Sequence, residues 1–145
     1  MADSSNIDAA LLAVLAADAT LSGLMPDGVW IDVAPPGSKQ FVRISLDDER
    51  DEAVFVAGRA IEDASFLVEA VELSTVAASH VRAAAARIDA LLEDHRLIVA
   101  DYACMTVHRE KRERITTDDA ADPSLRWSRR GGHYRVQMSV NLVVD

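Results

Sequence analysis

The sequence predicts an α+β domain of two layers, with two helices packed on one face of a mostly antiparallel sheet in the order α-β-β-β-α-β-β. Three observations predict it. Two long segments carry apolar residues at helical spacing, while five shorter ones are β-branched or alternate apolar with polar residues. The strands follow one another closely enough for hairpins. A helix with a single apolar face needs something to cover, and a sheet provides it. With 145 residues, half of them apolar, the chain fits a single domain with a substantial core, spanning residues 1–145.

The first helix opens at Ser5, with Asp8 three residues on in the manner of a capping box. Ile7, Leu11, Val14 and Leu15 then share one face, and the helix should fade near Leu21 to Gly23. Met25-Pro26-Asp27-Gly28 is a turn. The strand Val29 to Val33 must leave the sheet at Pro35-Pro36, because proline cannot donate to a ladder. In the second strand, Phe41 to Leu46, Val42, Ile44 and Leu46 point one way, and Arg43 and Ser45 the other. A long acidic hairpin loop over 47–60, holding DDERDE, leads to a third strand from Ser65 to Leu73.

The longest helix is expected from Thr75 to Glu93, capped by Ser74, with Val81, Ala84, Ala85, Ile88, Leu91 and Leu92 as its apolar stripe. A fourth strand runs from Leu97 to Val107. A polar, basic linker over 109–130 shows no apolar periodicity. Gly131-Gly132 reads as the turn that starts the last strand, where Tyr134, Val136, Met138, Val140 and Leu142 alternate with polar residues.

Composition narrows the function. A net charge of -9 repels free nucleic acid, whereas a general nucleic-acid binder is usually basic. The single cysteine, Cys104, excludes an internal disulfide and suits a reducing compartment; within the apolar run LIVADYACMTV it reads as a buried, inert thiol. MADSSNID has no basic start of a signal peptide, and no apolar run approaches the ~20 residues of a membrane span, so a soluble protein of the cytoplasm is expected. Catalytic constellations are not found. His80 and His95 sit on or just past the long helix, and His108 and His133 form at most a cross-strand pair if the last two strands are neighbours. HExxH, CxxC, Walker and dinucleotide glycine patterns, and GxSxG are absent. DDERDE lacks the alternation and central glycine of a calcium loop. The expectation is a protein with no catalytic residue, cofactor or metal.

Charge is distributed unevenly. Between Arg109 and Arg135 there are eight cations and five anions, a net +3, which leaves -12 for the rest of the chain. The candidate interface is Arg109, Lys111, Arg112, Arg114, Trp127, Arg129 and Arg130. The acidic counterpart is Asp47, Asp48, Glu49, Asp51 and Glu52, a candidate to face a lumen or the next ring of an assembly. Acid on one subunit joined to base on the next would build a ring by head-to-tail contacts. The basic segment also reads as a solvated loop whose charges neutralise each other. Trp127 fits either an interface anchor or a local core residue.

Four stretches together resemble the tail terminator, or tail-completion, proteins of long-tailed bacteriophages and gene-transfer particles. They are IDAALLAVLAADATLSGLM, VWIDVAPPGSKQFVRISL, SFLVEAVELSTVAASHVRAAAARIDALL and GGHYRVQMSVNLVV, and their order and spacing carry the likeness. The resemblance implies a structural virion protein and not an enzyme. Its implied form is a ring, typically of six subunits, at the head-proximal end of the tail tube. Such a ring ends tube polymerisation and joins the neck, or head-completion, proteins. DNA passes through it without being specifically bound, and no membrane is involved. The implied place is the tail-neck junction of a particle assembled in the host cytoplasm. The alternatives are another neck or tail component, such as a stopper or tube subunit, and a small ligand-binding α+β domain.

Overall fold

The computed structural model describes residues 4–52, 61–74, 79–99, 102–122 and 124–140. These form α1 (Ser4–Ala16), α2 (Ala19–Leu24), β1 (Val29–Ile31), β2 (Gln40–Glu52), β3 (Ile61–Ser74), α3 (Ser79–Leu92), β4 (Tyr102–Asp118) and β5 (Arg126–Val140). The class and element order are those the sequence predicts. The five strands make one sheet in the order β1-β2-β3-β5-β4. Only β1 and β2 run parallel; the other neighbours are antiparallel. The strand that comes last in the chain thus lies inside the sheet, and β4 is left at its edge.

The first expected helix is two helices. Asp18 takes an extended backbone and its carboxylate accepts from the Leu21 N–H at 2.9 Å, which ends one helix and caps the next. The same carboxylate receives two bonds from the Arg87 guanidinium, at 2.9 and 2.6 Å, tying the break to α3. Arg87, then the Leu21 N–H, pull the Asp18 pKa down to about 2. The capping by Ser5 concerns a side chain outside those described, as do the thiol of Cys104 and the start of the long helix between Ser74 and Ser79.

The core lies between the helices and one face of the sheet. Ile7, Leu11 and Leu15 of α1, Leu21 of α2, and Val81, Ala84, Ile88 and Leu92 of α3 are all buried there. The sheet meets them with every second residue: Val42 and Ile44, then Ala64, Phe66, Val68 and Ala70, then Tyr134 and Val136. Each such large apolar side chain contributes ~1.5–3 kcal/mol by leaving water. Leu97, Val99 and Val107 close the cluster beside β4.

Three loop expectations are corrected. The acidic run is strand: Asp48 to Glu52 pair with Ser65 to Ile61, after a bulge between Leu46 and Asp48. Residues 53–60 lie outside those described. The expected linker over 109–130 is mostly strand as well, as β4 runs on to Asp118 and β5 begins at Arg126. Only 119–125 turns, held by Asp119 N–H to Leu125 O at 3.0 Å and Asp122 N–H to the Asp119 carboxylate at 3.0 Å. Polar sequence forms strand here because β4 pairs along β5 and the charges pair along and across the two strands. Glu110 meets Arg135 at 3.6 Å and Asp118 meets Arg126 at 3.6 Å. The fourth strand therefore starts and ends later than expected. Leu97 to Val99 precede it, anchored by a single bridge from Arg96 to Thr106.

Gly131 and Gly132 are not a turn. Both lie within β5, between Glu69 or Val68 of β3 and Glu113 or Arg112 of β4. A Cβ at Gly131 would stand 2.0 Å from the Val68 carbonyl oxygen, so a side chain cannot fit without moving β3. Among the described residues, no helix is long and apolar enough to cross a membrane.

Candidate functional site

A concavity of about 350 Å³ lies on the helix side of the sheet, between α3 and the β4–β5 hairpin. Its wall on α3 is Arg82, Ala85, Ala86 and Asp89, spaced so that one line of the helix faces the groove. Its floor is Arg130, Gly131 and Tyr134 of β5. Along the sheet edge, β4 contributes Arg109, Arg112 and Arg114.

Asp89 and Arg109 organise one end. The Arg109 guanidinium lies 2.6 Å from the Asp89 carboxylate, which also accepts the Tyr134 hydroxyl at 3.0 Å. Burial, reinforced by Asp89, pushes the Tyr134 pKa upward, so its hydroxyl keeps its proton and acts as a donor. The Arg109 N–H is held by Glu93 at 2.6 Å. The other end is different. Arg82, Arg112, Arg114 and Arg130 have no carboxylate partner among the described residues. Four uncompensated guanidiniums in one concavity favour a carboxylate or phosphate, which such groups bind in bidentate fashion. Asp89 is occupied by two donors and Tyr134 is held protonated, so the arginines are the groups this groove offers to an incoming anion.

The expected interface residues divide between the two sides of the sheet. Arg109, Arg112, Arg114 and Arg130 share the groove. Lys111 pairs loosely with Glu113 at 3.8 Å. Arg129 lies on the open face, 3.9 Å from Glu69, which also accepts from Arg43 at 3.1 Å. Trp127 is on that face too, half-buried. Its ring stands edge-on to Phe41 at 6.3 Å, and its N–H donates to Asp119 at 2.9 Å. Both contacts are to residues of its own chain. The backbone of Asp47, Asp48, Glu49, Asp51 and Glu52 runs in the outer half of β2, and their side chains are outside those described. Arg82 was missed as a site residue in the sequence, where it stands as one off-stripe cation; only the contact between α3 and β5 brings it to the arginines of the hairpin.

His108 and His133 do not face each other. A register shift between Arg109 and Lys111 sets His108 opposite Arg135 and His133 opposite Lys111. His133 lies 3.1 Å from Glu113. His108 sits with Glu93 and Asp94, at 3.8 and 3.5 Å, and the three offer ligand atoms within 4.8 Å of one another. All three side chains reach water, so the arrangement amounts to a surface cluster of two carboxylates and an imidazole.

A chain in a structure described as "Virion of native gene transfer agent (GTA) particle" superposes with a TM-score of 0.64, at 22% identity, over 90% of this chain and 94% of that one. The two share a fold. A second solved chain matches with a TM-score of 0.56 at 13% identity over 100% of both chains. No protein-family model matches the sequence, and no curated protein does. The shared fold extends over nearly the whole length of the chain.

Proposed function

We propose that this chain is a structural, non-enzymatic subunit of a phage-like particle, and that within it the chain is the tail terminator. Copies form a ring, expected to be a hexamer, on the head-proximal end of the tail tube. The ring ends tube growth and contacts the neck, and DNA passes through it. The observation that carries this reading is the shared fold with a chain of a gene-transfer virion, matched almost end to end. The four sequence stretches that resemble tail terminators choose the role within the particle. A groove built to hold anions without doing chemistry, on a sheet edge open to a neighbour, suits an assembly protein.

Deleting the gene and imaging the particles by electron microscopy tests the role. The expected result is tails of uncontrolled length together with heads that lack tails, restored by the gene in trans. Normal joined particles after deletion, or absence of the chain from purified wild-type particles by mass spectrometry, would rule the role out.

A further inference from the structure

We infer that the groove between α3 and the β4–β5 hairpin is the docking site for the acidic outer half of β2, Asp47 to Glu52, from a second copy of this chain. The inference deepens the ring reading above and rests on it for the identity of the partner.

The groove shows the need. Arg82, Arg112 and Arg114 are exposed, Arg130 is half-buried, and none has a carboxylate partner among the described residues. Of the two acidic lining residues, Asp89 is taken by Arg109 and Tyr134, and Glu113 by His133 at 3.1 Å and Lys111 at 3.8 Å. Four arginines held this near one another repel, and the cost is relieved by a ligand with several negative charges.

The sequence supplies such a ligand in one place. DDERDE carries five carboxylates in six residues, and no other stretch of the chain is as densely acidic. Topology then forbids the contact within one chain. Arg130 pairs with Ala70 of β3, whereas Glu52 pairs with Ile61, nine residues along the same strand. At ~3.3 Å per residue that is about 30 Å. Asp48, opposite Ser65, is nearer but lies on the far side of β3 from β5. For Glu52 this is several times the ~8 Å Debye length at physiological salt, so the end of the acidic run and the Arg130 end of the groove are screened from each other inside one molecule. A neighbour placed head to tail brings them together. Such a heterologous contact repeats and closes into a ring when its rotation divides a full turn. On the edge of β2 away from β3, pairing with β1 stops at Ile44, whose carbonyl also accepts the Asp32 N–H, so among the described residues no strand covers that edge of the acidic half.

A reciprocal charge swap tests it. One variant, Arg112→Glu with Arg114→Glu and Arg130→Glu, has two acidic partners; the other, Asp48→Lys with Glu49→Lys and Asp51→Lys, has two basic ones. Sedimentation velocity at low and at physiological salt is the readout, after circular dichroism has shown native folding. Each variant alone should lose self-association by about 100-fold, and an equimolar mixture should recover it. A variant that assembles like wild type, or a mixture that stays monomeric, overturns the proposal. If a triple variant does not fold, the single pair Arg112→Glu and Glu49→Lys reads the same cross. A short DNA duplex serves as the competing probe: if the arginine variant loses duplex binding at physiological salt but keeps self-association, the groove reads phosphate and the proposal falls. The role in the particle is decided separately. A tail defect on deletion, with normal particles from both swap variants, leaves the role standing and removes this contact.

Discussion

The two faces of the sheet bury their residues by different means. On the covered face, Phe66, Val68 and Ala70 join helix residues in an apolar cluster, and the one buried charge at its end, Glu72, is held by Gln40 and by His80 of α3. On the open face, the intervening residues of the same strand include Glu69 and Val71, both buried although outside that cluster. Cover comes from side chains that lie along the sheet: Arg43 and Arg129 flank Glu69, and Trp127 leans on Phe41. One strand thus supports a dry core on one side and a charged, partly wet cluster on the other. The lesson is that period-two alternation states which residues share a face, but not which face is apolar.

Substitutions can break this contrast. The largest effect is expected on the covered face. Phe66→Ala should destabilise the fold by about 4 kcal/mol, measured by urea denaturation, since a fully buried aromatic leaves a cavity the helices cannot fill. On the open face, Glu69→Gln should cost about 2 kcal/mol, less than the ~3–5 of a fully buried pair, because Arg43 and Arg129 are 28% and 29% exposed and can rehydrate. If Glu69→Gln costs as much as Phe66→Ala, the open face is as dry as the core and the contrast is wrong. Trp127→Phe should cost about 1 kcal/mol, the worth of the bond to Asp119, while keeping the ring against Phe41.

The smallest effect concerns acid. The folded state holds the Asp18 carboxyl below its usual value of 3.8, at about 2, so its stabilisation is full above pH 3.8 and is lost as pH falls through about 2. Arg87→Gln removes the main cause of the shift. Its unfolding free energy should therefore fall less steeply than that of the wild type across this window, in denaturation curves taken at stepped pH.

The parts of the fold legible in the sequence were those where one face is apolar. Ile7, Leu11 and Leu15 announce α1, and Phe66, Val68 and Ala70 announce β3. The illegible parts were stabilised by partners distant in sequence. Arg109 to Asp118 looks like a linker because its alternate residues are charged on both sides, and it becomes strand only against β5. The break at Asp18 depends on Arg87, which lies on another helix. The candidate site was half visible. The hairpin arginines stood out by density, but Arg129 and Trp127 belong to the other face, and Arg82 joins only through tertiary packing.

The position of β5 has a consequence for how the molecule is made. The sheet order places it between β3 and β4, yet it follows both in the chain. Until it arrives, β3 presents an unpaired edge rich in valine, leucine and phenylalanine, and β4 has no neighbour in the sheet at all. Folding must wait for contacts that span more than fifty residues, such as Phe66 with Tyr134, a topology associated with slow folding and a window open to misassembly. The exposed β3 edge in that window is the place where premature association would begin, and insertion of β5 closes it; under the proposed ring, that insertion is also the step that makes a subunit safe to assemble.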